Sequence, residues 1–130
     1  MSEREWHFYL QDMIRFTENV LTYTSGMDQV TFVSSSLTYD ATLRNLELIG
    51  EAATHIPETV RNASPFISWR MIIATRNRLI HGYLGIDDDT LWSIITDELP
   101  ELLSNLEKLV NPNIHQKARE KARGQSQVPE

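Results

Sequence analysis

The chain has 130 residues, 41% of them hydrophobic, a net charge of −6 and no cysteine. This suits one domain with a single core and excludes a disordered polymer, disulfides, thiolate nucleophiles and thiolate-bound zinc. The charge is uneven: residues 111–130 carry +2 and the first 110 carry −8, so any contact with a nucleic-acid backbone has to be local, at a cleft that concentrates arginines.

The first predicted helix runs from about Glu5 to Tyr23, with Phe8, Leu10, Met13, Ile14, Phe16, Val20 and Leu21, and stops at Ser25-Gly26. The charged start, Met1 to Glu5, has no apolar segment behind it, so no signal peptide is expected. A second helix is predicted from about Asp28 to His55, through Leu37, Leu43, Leu46 and Ile49. Its opening stretch, Val30 to Ser36, is rich in β-branched residues and serine, which weakens the expectation of a helix there.

On this second helix a charged stripe lies between leucines. With Leu43 at zero and 100° per residue, Glu47, Asp40, Glu51 and Arg44 fall at about 40°, 60°, 80° and 100°, and Leu37 and Leu48 at about 120° and 140°. Two readings fit. The stripe is either a ladder of pairs, Asp40–Arg44–Glu47–Glu51, worth a few tenths of a kcal/mol per pair, roughly, or a support in which Glu47 or Glu51 orients a catalytic group. Gly50 and Ala53 fall on the apolar side, where small residues permit close helix approach.

Pro57 to Pro65 reads as a loop or a short helical turn, and a third helix extends from near Pro65 to His81-Gly82. It contains an anomaly. With Arg76 at zero, Trp69, Ile72, Ile73, Leu79, Ile80 and Tyr83 all fall within about 60°, so a permanent charge occupies the middle of an apolar stripe. An unpaired buried charge costs several kcal/mol, roughly, so Arg76 is expected either to meet a carboxylate or to await a phosphate. His81 is the best general acid or base; His7, His55 and His115 show no comparable company. On a continuous helix His81 lies about 140° round from Arg76. The two converge only if the helix ends first or if the site forms between two subunits. Cleavage of RNA through its own 2′-hydroxyl needs a base, an acid and a cation; a two-fold dimer supplies two histidines and two arginines, with no metal or other cofactor.

Asp87, Asp88 and Asp89 are read as the capped start of a fourth helix rather than a magnesium site. That helix carries Leu91, Trp92, Ile94, Ile95, Leu99, Leu102, Leu103, Leu106 and Leu109, with a kink expected at Pro100. The expectation is an all-α, up-and-down four-helix bundle over residues 1–110, with a kinked fourth helix and a frayed polar tail over 111–130. No apolar run reaches membrane-spanning length, and a cytoplasmic location is expected.

The run Arg76-x4-His81-x-Tyr83 matches the R-x4-H-x-Y motif of HEPN-domain ribonucleases. The longer strings from Trp69 through Asp87 and from Arg44 through Ala53 resemble the HepT-like toxins of that group, over roughly residues 5 to 110. The resemblance implies a HEPN-type helical bundle that dimerises with the motif facing a shared cleft. It also implies a metal-independent endoribonuclease acting as the toxin of a toxin–antitoxin pair. Arg76 would stabilise the scissile phosphate and His81 would serve as acid or base, with Asn77 holding a hydrogen bond in the cleft and Tyr83 supporting the site; Arg44, Glu47 and Glu51 are added as support from the charged stripe of the second helix. The implied partner is a minimal nucleotidyltransferase, MNT, acting as antitoxin and in some pairs transferring AMP to the motif tyrosine, here Tyr83. The alternative is a non-enzymatic subunit that binds a nucleotide or a partner through Arg76 and Tyr83.

Overall fold

The computed structural model describes residues 2–82 and 85–110, all helix, turn and loop. Tyr83 and the 111–130 tail, both singled out in the sequence, lie outside the described residues. Helix α1 spans Glu3–Thr24. Ser2 caps it reciprocally: its hydroxyl accepts from the Glu5 N–H while its own N–H donates to the Glu5 carboxylate, both at 3.3 Å, which satisfies two backbone donors that a helix start leaves open. The helix stops where Gly26 takes φ +78.

The predicted second helix is two helices. Helix α2 covers Gln29–Ser34 and helix α3 covers Ser36–Thr54. At the junction Ser35 leaves helical geometry (φ −96, ψ 96), and its hydroxyl caps α3 by accepting from the Thr38 N–H. The serine and β-branched run offers the backbone this local alternative to a continued helix. Helix α4, Glu58–Ala63, occupies the predicted loop or turn, and α5 covers Trp69–Ile80. Residues 88–110 form α6 (Asp88–Ser93), a π-helical turn (Ile94–Glu98) and α7 (Leu99–Val110). The π turn directly precedes Pro100, and the Leu99 N–H reaches back five residues to the Ile94 carbonyl. A proline without an N–H and a widened turn are both known ways of disturbing an α-helix, here adjacent in the chain. The four predicted helices are thus six α-helical segments and one π turn, and α4 in the predicted loop is a seventh α-helical segment among the described residues.

Helix α3 is central, packing against α1 on one side and α5 on the other, while α7 closes on α1. Leu10, Met13 and Val20 of α1, Leu46, Ile49 and Ala53 of α3, Ile72 of α5 and Leu99, Leu102 and Leu106 of α7 are buried together. Thr17 survives in this core because its hydroxyl donates to the Met13 carbonyl at 2.7 Å. Asn19 donates across to Asn45 at 3.1 Å, which fixes the α1–α3 register.

The α3–α5 contact turns on Gly50. A Cβ at this position would overlap the Cβ of Arg76 and lie 3.0 Å from the Ile72 carbonyl oxygen. Alanine in a helix is favoured over glycine by about 1 kcal/mol, but a Cβ pressed against another Cβ has no rotamer by which to escape. Overpacking of this kind costs about 1–3 kcal/mol, so the steric term should win. Gly50→Ala is therefore expected to lower the urea unfolding midpoint despite its better helix propensity. An unchanged or raised midpoint would show that α3 and α5 separate at no cost.

Candidate active site around Arg76

Gly50 lets α5 lie so close to α3 that Arg76 is laid beside Glu51. An Arg76 Nη2–H donates to Glu51 Oε2 at 2.6 Å, and the Arg76 side chain is only 26% exposed. The arginine in the apolar stripe does meet a carboxylate. An Nη1–H donates to Asn77 Oδ1 at 2.8 Å, so the guanidinium is held from two directions. A guanidinium has five N–H donors, and these two bonds leave others open; Nε is buried with no hydrogen-bond partner among the described residues.

Glu51 also meets a histidine. Its Oε1 lies 3.4 Å from His55 Nε2, and the His55 ring stacks on Tyr9 with centroids 4.5 Å apart and planes 10° from parallel. Glu51 thus bridges Arg76 and His55. Sequence reasoning gave His55 no company, although the Glu51–His55 spacing of four residues puts both on one helix face. Tyr9, on α1, carried no local signal at all. The hydrogen bond from Arg76 holds the Glu51 carboxyl below its ordinary value; partial desolvation opposes this, and the Arg76 charge and His55 add to it.

The remaining predicted residues are placed separately. Arg44 pairs with Glu47 at 3.7 Å on the outer side of α3, so one rung of the expected ladder forms, and Glu51 leaves the ladder for Arg76. His81 is exposed just beyond the end of α5, and its backbone N–H donates to the Asn77 carbonyl at 3.1 Å. Its φ of −85 and ψ of −2 are still helical, so the chain does not swing the imidazole back towards Arg76. Gly82, at φ +54, closes the helix with its N–H on the Arg78 carbonyl, as the left-handed stop requires. Among the described residues His81 makes no side-chain hydrogen bond to Arg76, Glu47 or Glu51. Within one chain, then, the exposed His81 and the Glu51-bound Arg76 are not joined by a hydrogen bond.

Asp87 caps α6: its carboxylate accepts from the Thr90 N–H and hydroxyl, each at 2.8 Å, and these bonds lower its pKa. Tyr39 donates to Asp88 at 3.0 Å and Gln29 to Asp89 at 2.6 Å. The three aspartates thus start a helix and tie it to α2 and α3. No group of three or more His, Asp or Glu side chains is arranged to hold a metal ion among the described residues, and none of the described helices is long and apolar enough to cross a membrane.

A family model described as Ribonuclease HepT-like matches residues 13–109. The chain belongs to the HepT-like ribonuclease family. The match contains Arg44, Glu47, Glu51, Arg76, Asn77, His81 and Tyr83. A Methanocaldococcus jannaschii protein whose name provisionally describes it as an RNase is 32% identical over 110 residues, 85% of this chain and 95% of its own. A second from the same organism, named in the same way, is 33% identical over 107 residues, 82% of this chain and 98% of its own. A Thermococcus cleftensis protein named "Probable ribonuclease HepT" is 35% identical over 101 residues, 78% of this chain and 92% of its own. No solved structure matches significantly.

In this HepT-like chain the Glu51–Arg76 pair has a defined pH signature. Because the folded-state pKa of Glu51 is depressed from its reference of 4.5, the pair's contribution is complete above the unfolded value and is lost as pH falls through the lower folded value. With Glu51 half exposed, the contribution is modest. Wild type is expected to be more stable than Glu51→Gln at neutral pH, with the difference shrinking below about pH 4. Thermal unfolding of both proteins across pH 3 to 7, roughly, would check this; a difference that does not change with pH would mean that the Glu51 charge is not its source.

Proposed function

We propose that this protein is a metal-independent endoribonuclease and the toxin of a toxin–antitoxin pair, acting as a homodimer. The observation that carries this reading is the state of Arg76: a guanidinium pinned by Glu51 and Asn77, half buried, with donors to spare. An arginine held this way is preorganised for a phosphate and pays little to reorient. The family membership supplies the substrate class, RNA.

The chemistry follows from the residues. His81 of one protomer takes the proton of a ribose 2′-hydroxyl as the oxygen attacks the adjacent phosphorus. Arg76 stabilises the negative charge that grows on the phosphorane oxygens. The bond from phosphorus to the 5′-oxygen breaks, and that oxygen receives a proton from His81 of the second protomer. The products are a 2′,3′-cyclic phosphate and a 5′-hydroxyl, with no metal required. Two observations support a site shared between protomers. No hydrogen bond joins His81 to Arg76 within one chain, and Ile80, next to His81, is apolar and 42% exposed, as befits a residue covered by a second copy.

The proposed partner is an MNT-type nucleotidyltransferase that transfers AMP to Tyr83. A phosphate attached there would compete for Arg76 with the RNA phosphate, which gives a chemical route to neutralisation.

Purified wild type is expected to cleave RNA in EDTA, and His81→Ala to lose this by about a hundredfold or more while keeping its helical content. Cleavage retained by His81→Ala would remove the histidine from the mechanism. Absence of cleavage by wild type, with an intact mass free of added AMP, would favour the non-enzymatic binding subunit. Ile80→Glu is expected to shift the protein from dimer to monomer in analytical ultracentrifugation and to abolish cleavage with it. A monomeric variant with full activity would place the whole site in one chain.

A further inference from the structure

Helix α4 and one face of α5 line an open groove of about 480 Å³ that reaches Asn77, the residue after Arg76. Its walls hold Arg61, Asn62, Arg70 and Asn77, with Trp69 and Ile73 contributing apolar floor. Three features set it apart from the rest of the surface.

The first is charge. The groove is lined by Arg61 and Arg70 against the single carboxylate of Glu58, a net of +1, whereas the first 110 residues as a whole carry −8. Arg76 and Arg78, on the same helix, are engaged outside it, by the Glu51 carboxylate and the Gly85 carbonyl. A polyanion repelled by the acidic body is steered to such a basic spot. The second feature is unused hydrogen-bonding capacity: Arg61 Nε is buried without a partner among the described residues, and the exposed Arg70 makes no ion pair with any of them. The third is continuity. Asn77 lines the groove and accepts from Arg76 Nη1, so the groove begins where the phosphate site ends.

Building on the ribonuclease reading, we infer that this groove is a subsite for single-stranded RNA, holding a nucleotide next to the scissile phosphate. Arg61 and Arg70 contact phosphate oxygens flanking that nucleotide. The Trp69 and Ile73 floor takes its apolar surface, and the side-chain amides of Asn62 and Asn77 reach its base edge. The volume is that of a small-ligand pocket, enough for one unstacked base against Trp69 and Ile73. A duplex keeps its bases stacked and presents phosphates and 2′-hydroxyls instead. Glu58, on the α4 wall, repels phosphate and biases the backbone towards the α5 arginines.

The test uses the full chain carrying His81→Ala, so that RNA is bound and not cut, and reads fluorescence anisotropy of a short labelled single strand as salt is varied. Arg70→Ala is expected to weaken binding by about tenfold and to lower the slope of log K against log salt by about 0.7, the loss of one phosphate contact on a single strand. Arg70→Lys should restore the slope. Arg61→Gln should weaken binding similarly; because Arg61 is partly buried its melting temperature is checked alongside, and Arg70, being exposed, carries the decision. In the cleaving protein Arg70→Ala should raise KM and leave kcat at saturating RNA unchanged. Affinity and slope equal to the parent's in Arg70→Ala would overturn the subsite, while cleavage by wild type would leave the ribonuclease reading standing. Binding lost in Arg70→Ala by a chain that never cleaves would uphold the subsite and sink the nuclease. A duplex of the same sequence bound equally well would overturn the assignment to single strands, and no RNA binding by the parent would overturn both readings.

Discussion

The arrangement of this molecule depends on one close crossing: the Cβ of Arg76 over the bare Cα of Gly50. Helix α3 is the hub between α1 and α5, and only a glycine at that point lets α5 come near enough for Arg76 to lie flat against α3. From that approach follow the 2.6 Å bond to Glu51, the turn of the guanidinium towards Asn77, and the restricted solvent access of an arginine that would otherwise extend its head into water. A larger residue at position 50 would separate the helices and release the arginine, so helix packing and the setting of Arg76 are one constraint here.

Glu51 solves an electrostatic problem without cancelling the charge it serves. A buried arginine without a counterion is costly, yet an arginine fully neutralised by a buried carboxylate would hold a phosphate poorly. Glu51 is itself half exposed and shares its second oxygen with His55, so its pull on Arg76 is screened by water. It fixes the position of the guanidinium more than it consumes its charge. His55, stacked on Tyr9, in turn steadies Glu51, which carries positional order from α1 through α3 to α5.

How much of this was legible in the sequence depends on whether the signal was local. The apolar periodicity placed the long helices, Gly82 marked the end of α5, and the position of Arg76 in an apolar stripe called for either a carboxylate or a phosphate, of which Glu51 supplies the first. Gly50 stood out as a small residue on the packing face. The break at Ser35 was foreshadowed by the serine and β-branched run, but helix and cap compete there within a small free-energy difference that composition does not resolve. The choice between Glu47 and Glu51 was beyond the helical wheel, because the two lie only about 40° apart and the crossing point at Gly50 decides between them. Tyr9 joined the cluster from a distant part of the chain, a tertiary fact without a local trace. The α4–α5 groove escaped notice because its residues come from two helices, one of which read as a loop or short turn.

The charge distribution turns the acidity of the body from an objection into part of the design. An evenly basic surface would bind any nucleic acid over many phosphates, tightly and with steep salt dependence. A body at −8 over the first 110 residues, with Arg61 and Arg70 gathered in one groove, would bind a polyanion only where these arginines lie, and repulsion from the acidic faces would lower non-specific occupancy. In the proposed subsite affinity would be sacrificed and orientation gained: a strand that approaches would be admitted along α5, past Arg70 and Asn77, and would reach Arg76 in one register. The same geometry makes the site sensitive to small additions of negative charge. With so few cations in the strip, a single competing phosphate near Arg76 removes a large share of the attraction, whereas a surface with a dozen lysines would barely register it. An acidic body around a sparse arginine strip is therefore what a nuclease controlled by one covalent phosphate would need.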